Sequence, residues 1–114
     1  MSLEVHVEKR ADGALLALDG ELDLAEAPRM ESEVRTIEED EPAVLVIDLR
    51  ALRFMDSSGL RTLLAVDRRA REAGRRLLFV RGPEQVQRVM RVTKVDERLE
   101  FVDDPASILG ELII

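Results

Sequence analysis

The sequence has no cysteine and a single histidine. Without thiols there is no disulfide framework, no thiolate nucleophile and no cysteine-based zinc site, a composition that suits a reducing cytoplasm. Long apolar runs are also missing. No run is longer than Ala43 to Ile47, which is far short of the ~20 residues needed to span a bilayer. Glu4, Glu8 and Asp12 interrupt the first twenty residues, so no continuous apolar export segment is present. A soluble, cytoplasmic protein with no membrane contact is expected.

Signatures of catalysis are equally scarce. There is no Gly-x-Ser-x-Gly, glycine-rich phosphate loop or dinucleotide fingerprint, and no histidine-carboxylate metal cluster is read from spacing. His6 alternates with apolar residues in a strand-like run and reads as solvent-facing. The connection from Leu49 to Ser58 reads as too long for a sharp nucleophile turn. No enzyme is expected, and no metal or cofactor.

What is present is charge and an ordinary share of apolar residues. With 46% hydrophobic residues in a length of 114, residues 1–114 are expected to form one domain with enough core to fold unaided. The net charge of -7 weighs against nucleic acid as a direct partner, because phosphate neutralisation needs a basic surface. Its distribution is uneven: residues 1–49 carry net -10, residues 50–98 net +7 and residues 99–114 net -4. Such asymmetry marks either a face for an acidic partner or simply solvated helix faces.

Taken in order, Leu3, Val5 and Val7 alternate with charged residues as an end strand does, and Asp12-Gly13 turns the chain into a second strand, Ala14 to Leu22. A helix starts near Ala27 with Pro28 in its first turn, leaving Asp23 in the preceding connection without a capping duty. Its apolar stripe is Ala27, Met30, Val34 and Ile37, and Glu38 to Glu41 reads as a solvated connection. Ala43 to Leu49 is apolar on consecutive positions, as a central strand is, with a polar passage through Arg50 and Arg53 after it. A second helix carries Leu60, Leu63, Val66, Ala70 and Ala73 inward, has an Asp67–Arg71 pair at its edge, and stops at Gly74. A strand at Leu77 to Val80 follows. After it comes a helix opened by Gly82-Pro83 with Val86, Val89, Met90 and Thr93 in register. Met90 is either core filler or an exposed contact. Leu99 to Val102 reads as a last strand, and Asp103-Asp104-Pro105 as the start of a terminal helix with Ile108, Leu109 and Leu112 inward. The fold expected is α/β, a mostly parallel sheet of about five strands with one antiparallel edge strand and about four helices. In such sheets the loops after strands two and three gather at one edge.

Those loops hold the informative residues. Asp56-Ser57-Ser58-Gly59 opens the second helix, placing two hydroxyls where first-turn N–H groups lack partners and the helix dipole is positive. Capping by Asp56 or Ser57 explains these residue types by itself. The same position also stabilises a phosphate, which on this reading meets unpaired N–H groups.

Three stretches carry a family resemblance: Gly20-Glu21-Leu22-Asp23 after the second strand, Val46-Ile47-Asp48-Leu49 leading to Phe54-Met55-Asp56-Ser57-Ser58-Gly59-Leu60, and Arg68-Arg69-Ala70-Arg71-Glu72-Ala73-Gly74. Together they cover nearly the whole chain, which resembles the anti-sigma factor antagonists, bacterial proteins made of one STAS domain. The resemblance implies a partner switch. The unphosphorylated protein binds a serine kinase of the histidine-kinase-like ATPase fold that is also an anti-sigma factor, freeing the sigma factor; phosphorylation at Ser58 ends that binding and a serine phosphatase restores it. ATP and magnesium belong to the kinase, so the resemblance implies no cofactor here. It places Asp23, Asp56, Ser57, Gly59, Leu60, Arg61 and Met90 at the partner surface. Arg61 stands where a small residue or glycine is expected. It keeps open a competing reading, a STAS-like structural adaptor in a signalling or transport assembly that is no kinase substrate.

Overall fold

Apolar residues on consecutive positions between Ala43 and Leu49 need cover on both faces. In the computed structural model, which describes residues 2–11 and 13–105, that stretch is the start of the middle strand of a five-stranded sheet. The strands are β1 (Leu3–Lys9), β2 (Gly13–Leu22), β3 (Val44–Met55), β4 (Arg76–Val80) and β5 (Phe101–Val102), ordered 1-2-3-4-5. β1 pairs antiparallel with β2 and every other pair is parallel, the arrangement expected. The helices are α1 (Ala27–Glu38), α2 (Ser57–Ala73) and α3 (Glu84–Val92), with a 3-10 turn at Val95–Glu97 that periodicity had not indicated. The expected terminal helix after Pro105 lies outside the described residues.

The three parallel crossovers step the same way across the sheet, so the usual right-handed connection puts their helices on one face. Met30 and Val34 of α1, Leu63 and Val66 of α2, and Val86 and Met90 of α3 accordingly share one core with Leu16, Leu45, Ile47, Leu49 and Phe79 of the sheet. The alternate positions Val44, Val46, Leu78 and Val80 form a smaller cluster on the other face. The stripes of α2 and α3 end sooner than the spacing suggested: Ala73 is exposed, and Thr93 caps α3, its Oγ1 donating to Val89 O at 2.7 Å.

Two corrections bear on the site. The passage after Leu49 is not a loop, because β3 continues to Met55 alongside Glu21 and Leu22 and leaves Asp56 alone to connect it to α2. The turn is therefore sharp, contrary to expectation. Nor is Glu38 solvated: as the last residue of α1 it accepts from Arg69 Nε at 3.1 Å and lies 3.7 Å from Arg75. Glu31 reaches the same Arg69 at 2.6 Å. Burial works against the Arg69 charge, but Glu38 and Glu31 outweigh it and hold the guanidinium pKa above its ordinary value. This network locks α1 against α2. Asp67 pairs with Arg71 at 2.9 Å, as the i,i+4 spacing predicted.

Candidate functional site

Parallel strands deliver their C-terminal loops to one edge of the sheet, and Asp56 joins two of them. Extended at φ -99° and ψ -174°, it is the N-cap of α2: Oδ1 accepts from Ser58 N at 2.9 Å and Gly59 N at 3.0 Å. Its other oxygen, Oδ2, accepts from Leu24 N at 3.1 Å, across to the loop after β2. Its backbone N–H donates to Leu22 O at 3.2 Å. One aspartate thus starts the helix and fixes the neighbouring loop. Asp23, expected to have no local duty, accepts from Glu26 N at Oδ1 (3.1 Å) and so shapes the entry to α1.

Gly59 sets how close α2 sits to the end of β2. A Cβ there would lie 2.4 Å from Leu22 O and 2.9 Å from Met55 Cγ. Leu60 beside it is buried, and Met90 is wholly buried in the core. Of the two readings of Met90 the core one therefore describes it, and Gly59, Leu60 and Met90 are buried rather than at the surface where the resemblance put them. The accessible residues are Ser57, exposed, and Asp23, Asp56 and Ser58, half-buried, with Arg61 exposed one turn along.

The Ser58 backbone is pinned while its hydroxyl is left outward. Ser58 N is bound to Asp56 and Ser58 O accepts from Thr62 Oγ1 at 3.1 Å, whereas Oγ accepts from Arg61 Nη2 at 3.2 Å. The expectation that a phosphate here meets unpaired first-turn N–H groups needs correction, since Asp56 already occupies those of Ser58 and Gly59. Although the strand-to-helix turn is sharp, Ser58 Oγ bonds to a guanidinium, which accepts no proton. No described carboxylate or imidazole bonds to it as a general base.

Two exposed apolar side chains near these residues in the chain were not singled out from the sequence. Leu24 is 70% and Phe54 44% exposed. Their signal was positional: each lies within two residues of Asp23 or Asp56 and outside any apolar stripe. Further along α2, Arg61, Leu64, Ala65, Asp67, Arg68 and Arg71 line a groove together with Arg98, Asp67 being its one acidic residue. Here part of the basic excess of residues 50–98 becomes a local surface.

The sequence had also shown no histidine-carboxylate cluster, yet cross-strand pairing of Glu4 with Asp19 brings Glu4, His6 and Asp19 together, ligand atoms within 4.8 Å. Asp19 is ion-paired with Arg53 at 3.2 Å, and the exposed His6 lies 3.5 Å from the exposed Glu4. Among the described residues no helix is long and apolar enough to cross a membrane.

The chain is similar to the anti-sigma-F factor antagonist RsfB of Mycobacterium tuberculosis, with 33% identity over 81 residues, 71% of this chain and 66% of that protein. The match thus spans just under two thirds of the relative's length. The structure is similar to that of an anti-sigma factor antagonist from Mycobacterium paratuberculosis, with TM-score 0.82, 26% identity and coverage of 97% and 94% of the two chains. It also shares its fold with SpoIIAA in its unphosphorylated form, at TM-score 0.73 and 18% identity over 95% and 96%. The STAS domain model matches residues 4–108, nearly the whole length over which this sheet, these helices and the Asp56 turn are built. The chain belongs to the STAS domain family.

Proposed function

We propose that this protein is an anti-sigma factor antagonist that works by partner switching, with Ser58 as the switch. The observation carrying this is Ser58, half-buried on a backbone held at both its N–H and its C=O, with its hydroxyl bonded only by the exposed Arg61 among the described residues. A substrate serine must reach another protein's active site without the fold opening, and this one meets that requirement. The kinship with RsfB, a protein named for antagonising an anti-sigma factor, supports the partner class. SpoIIAA, a protein of the same fold, is known in a phosphorylated form, which supports the chemistry.

In this reading the unphosphorylated surface docks on a serine kinase that is also an anti-sigma factor, and the sigma factor is freed. Leu24 and Phe54 supply apolar contact, while the α2 arginines steer an acidic partner. The kinase brings ATP and magnesium. Transfer of the γ-phosphoryl group to Ser58 Oγ adds about -1.5 to -2 charges at pH 7. Burying that dianion against the partner, beside Asp56 and Asp23, costs several kcal/mol, about 10²-fold or more in affinity. A phosphatase resets the surface. The site acts in the cytoplasm, and the chain itself carries out no catalytic step.

The test is binding of the cognate anti-sigma kinase to three forms. Wild type and Ser58→Ala should bind alike, and Ser58→Asp at least about tenfold more weakly with an unchanged melting temperature. Equal binding by all three would replace the switch with the constitutive adaptor reading.

A further inference from the structure

We propose that Arg61 is a clasp for the phosphate on Ser58, an inference that rests on the phosphorylation proposed above. A phosphoserine in the first turn of a helix ordinarily takes the free N–H groups there. In this chain Asp56 Oδ1 already holds those of Ser58 and Gly59, at 2.9 and 3.0 Å. The same carboxylate places a negative charge beside the incoming dianion, which favours a cation close by. Arg61 is one turn along α2 on the same side, and its Nη2 already donates to Ser58 Oγ at 3.2 Å.

Arg61 is also uncommitted. Most arginines here are held by carboxylates: Arg50 by Asp48, Arg53 by Asp19 and Glu21, Arg69 by Glu31 and Glu38, Arg71 by Asp67. Arg61 makes no ion pair with a described residue, and its described hydrogen bond is the one to Ser58 Oγ. A guanidinium offers a planar fork of donors that fits two phosphate oxygens at once. When the hydroxyl becomes a phosphate monoester, the fork moves from one weak acceptor to two charged oxygens with no change in backbone. The clasp keeps the dianion on the domain's own surface, paired on one side and still costly to bury against a partner.

The test uses phosphoserine incorporated at position 58 during synthesis, so it needs no kinase and stands apart from whether a kinase modifies Ser58. The phosphate is titrated by ³¹P NMR in 0.15 M salt in wild type, Arg61→Ala, Arg61→Lys and Arg68→Ala. The second pKa of a free phosphoserine is about 6. The clasp lowers it, so Arg61→Ala should raise it by at least about 0.5, roughly threefold in proton affinity. Lysine should fall between, keeping the charge without the fork. Arg68→Ala, about 10 Å further along the helix axis, should leave it unchanged. The Arg61 Nε–H resonance should shift with the same midpoint. An Arg61→Ala value within 0.1 of wild type, or an equal rise in Arg68→Ala, would overturn the clasp. A kinase that fails to modify wild-type protein would instead count against the partner switch and leave the titration result standing.

Discussion

Asp56→Ala removes three hydrogen bonds to one carboxylate: two from the first turn of α2 and one from Leu24 in the loop after β2. Loss of the N-cap costs about 1–2 kcal/mol. The Leu24 N–H is exposed and recovers water, so its bond adds only about 0.5–1 kcal/mol. The sum is about 1.5–3 kcal/mol. For a domain of this size that lowers the melting temperature by about 6–12 °C, taking roughly 4 °C per kcal/mol. Asp56→Asn keeps an acceptor for the helix N-terminus and should lose about half as much. Thermal and urea unfolding give the totals, and amide exchange locates them: Ser58, Gly59 and Leu24 should lose protection together, while the β3 core amides follow only the global change. A loss below about 0.5 kcal/mol, or fraying of α2 with Leu24 unaffected, would refute the idea that one side chain holds the two loops as a unit.

Gly59→Ala should destabilise by about 1–3 kcal/mol despite the better helix propensity of alanine, because the new methyl meets Leu22 O at 2.4 Å; denaturant unfolding reads it directly. Leu24→Ala and Phe54→Ala should weaken kinase binding severalfold each with melting temperatures nearly unchanged, since their exposed surface holds no core, and titration calorimetry checks both. Glu84, hydrogen-bonded by Arg91, is held below the usual carboxylate range. A depressed folded pKa means that its stabilising contribution is complete above the unfolded value of about 4.3 and is lost as pH falls through the folded one. An NMR titration of the Glu84 carboxyl carbon should show that low midpoint, and Arg91→Ala should return it towards normal.

Elements with a clear period were legible from the residues alone. The apolar stripes of α1 and α2 and the consecutive apolar run of β3 each state a burial requirement that one architecture satisfies. The second half of β3 was not legible, because Arg50, Arg53 and Phe54 point to solvent and break the apolar run, whereas the pairing of Asp19–Leu22 with β3 is a long-range fact. Glu38 was misread for the same reason: its partners Arg69 and Arg75 are more than thirty residues away. At the site, helix-start chemistry located Asp56 and Ser58. Spacing could not show that Asp56 would occupy the first-turn N–H groups of Ser58 and Gly59, nor that Arg61, odd by family resemblance, would turn back onto Ser58. Met90 could not be assigned from its period, which a core residue and a contact residue share; its burial under α3 decides for the core.

The most direct measurement is the intact mass of the purified protein after incubation with its cognate anti-sigma kinase, ATP and magnesium, followed by peptide mapping across Phe54 to Arg61. The switch requires a single added phosphate, on Ser58, absent in Ser58→Ala. An active kinase that leaves the mass unchanged, or that places the phosphate on Ser57, would contradict it.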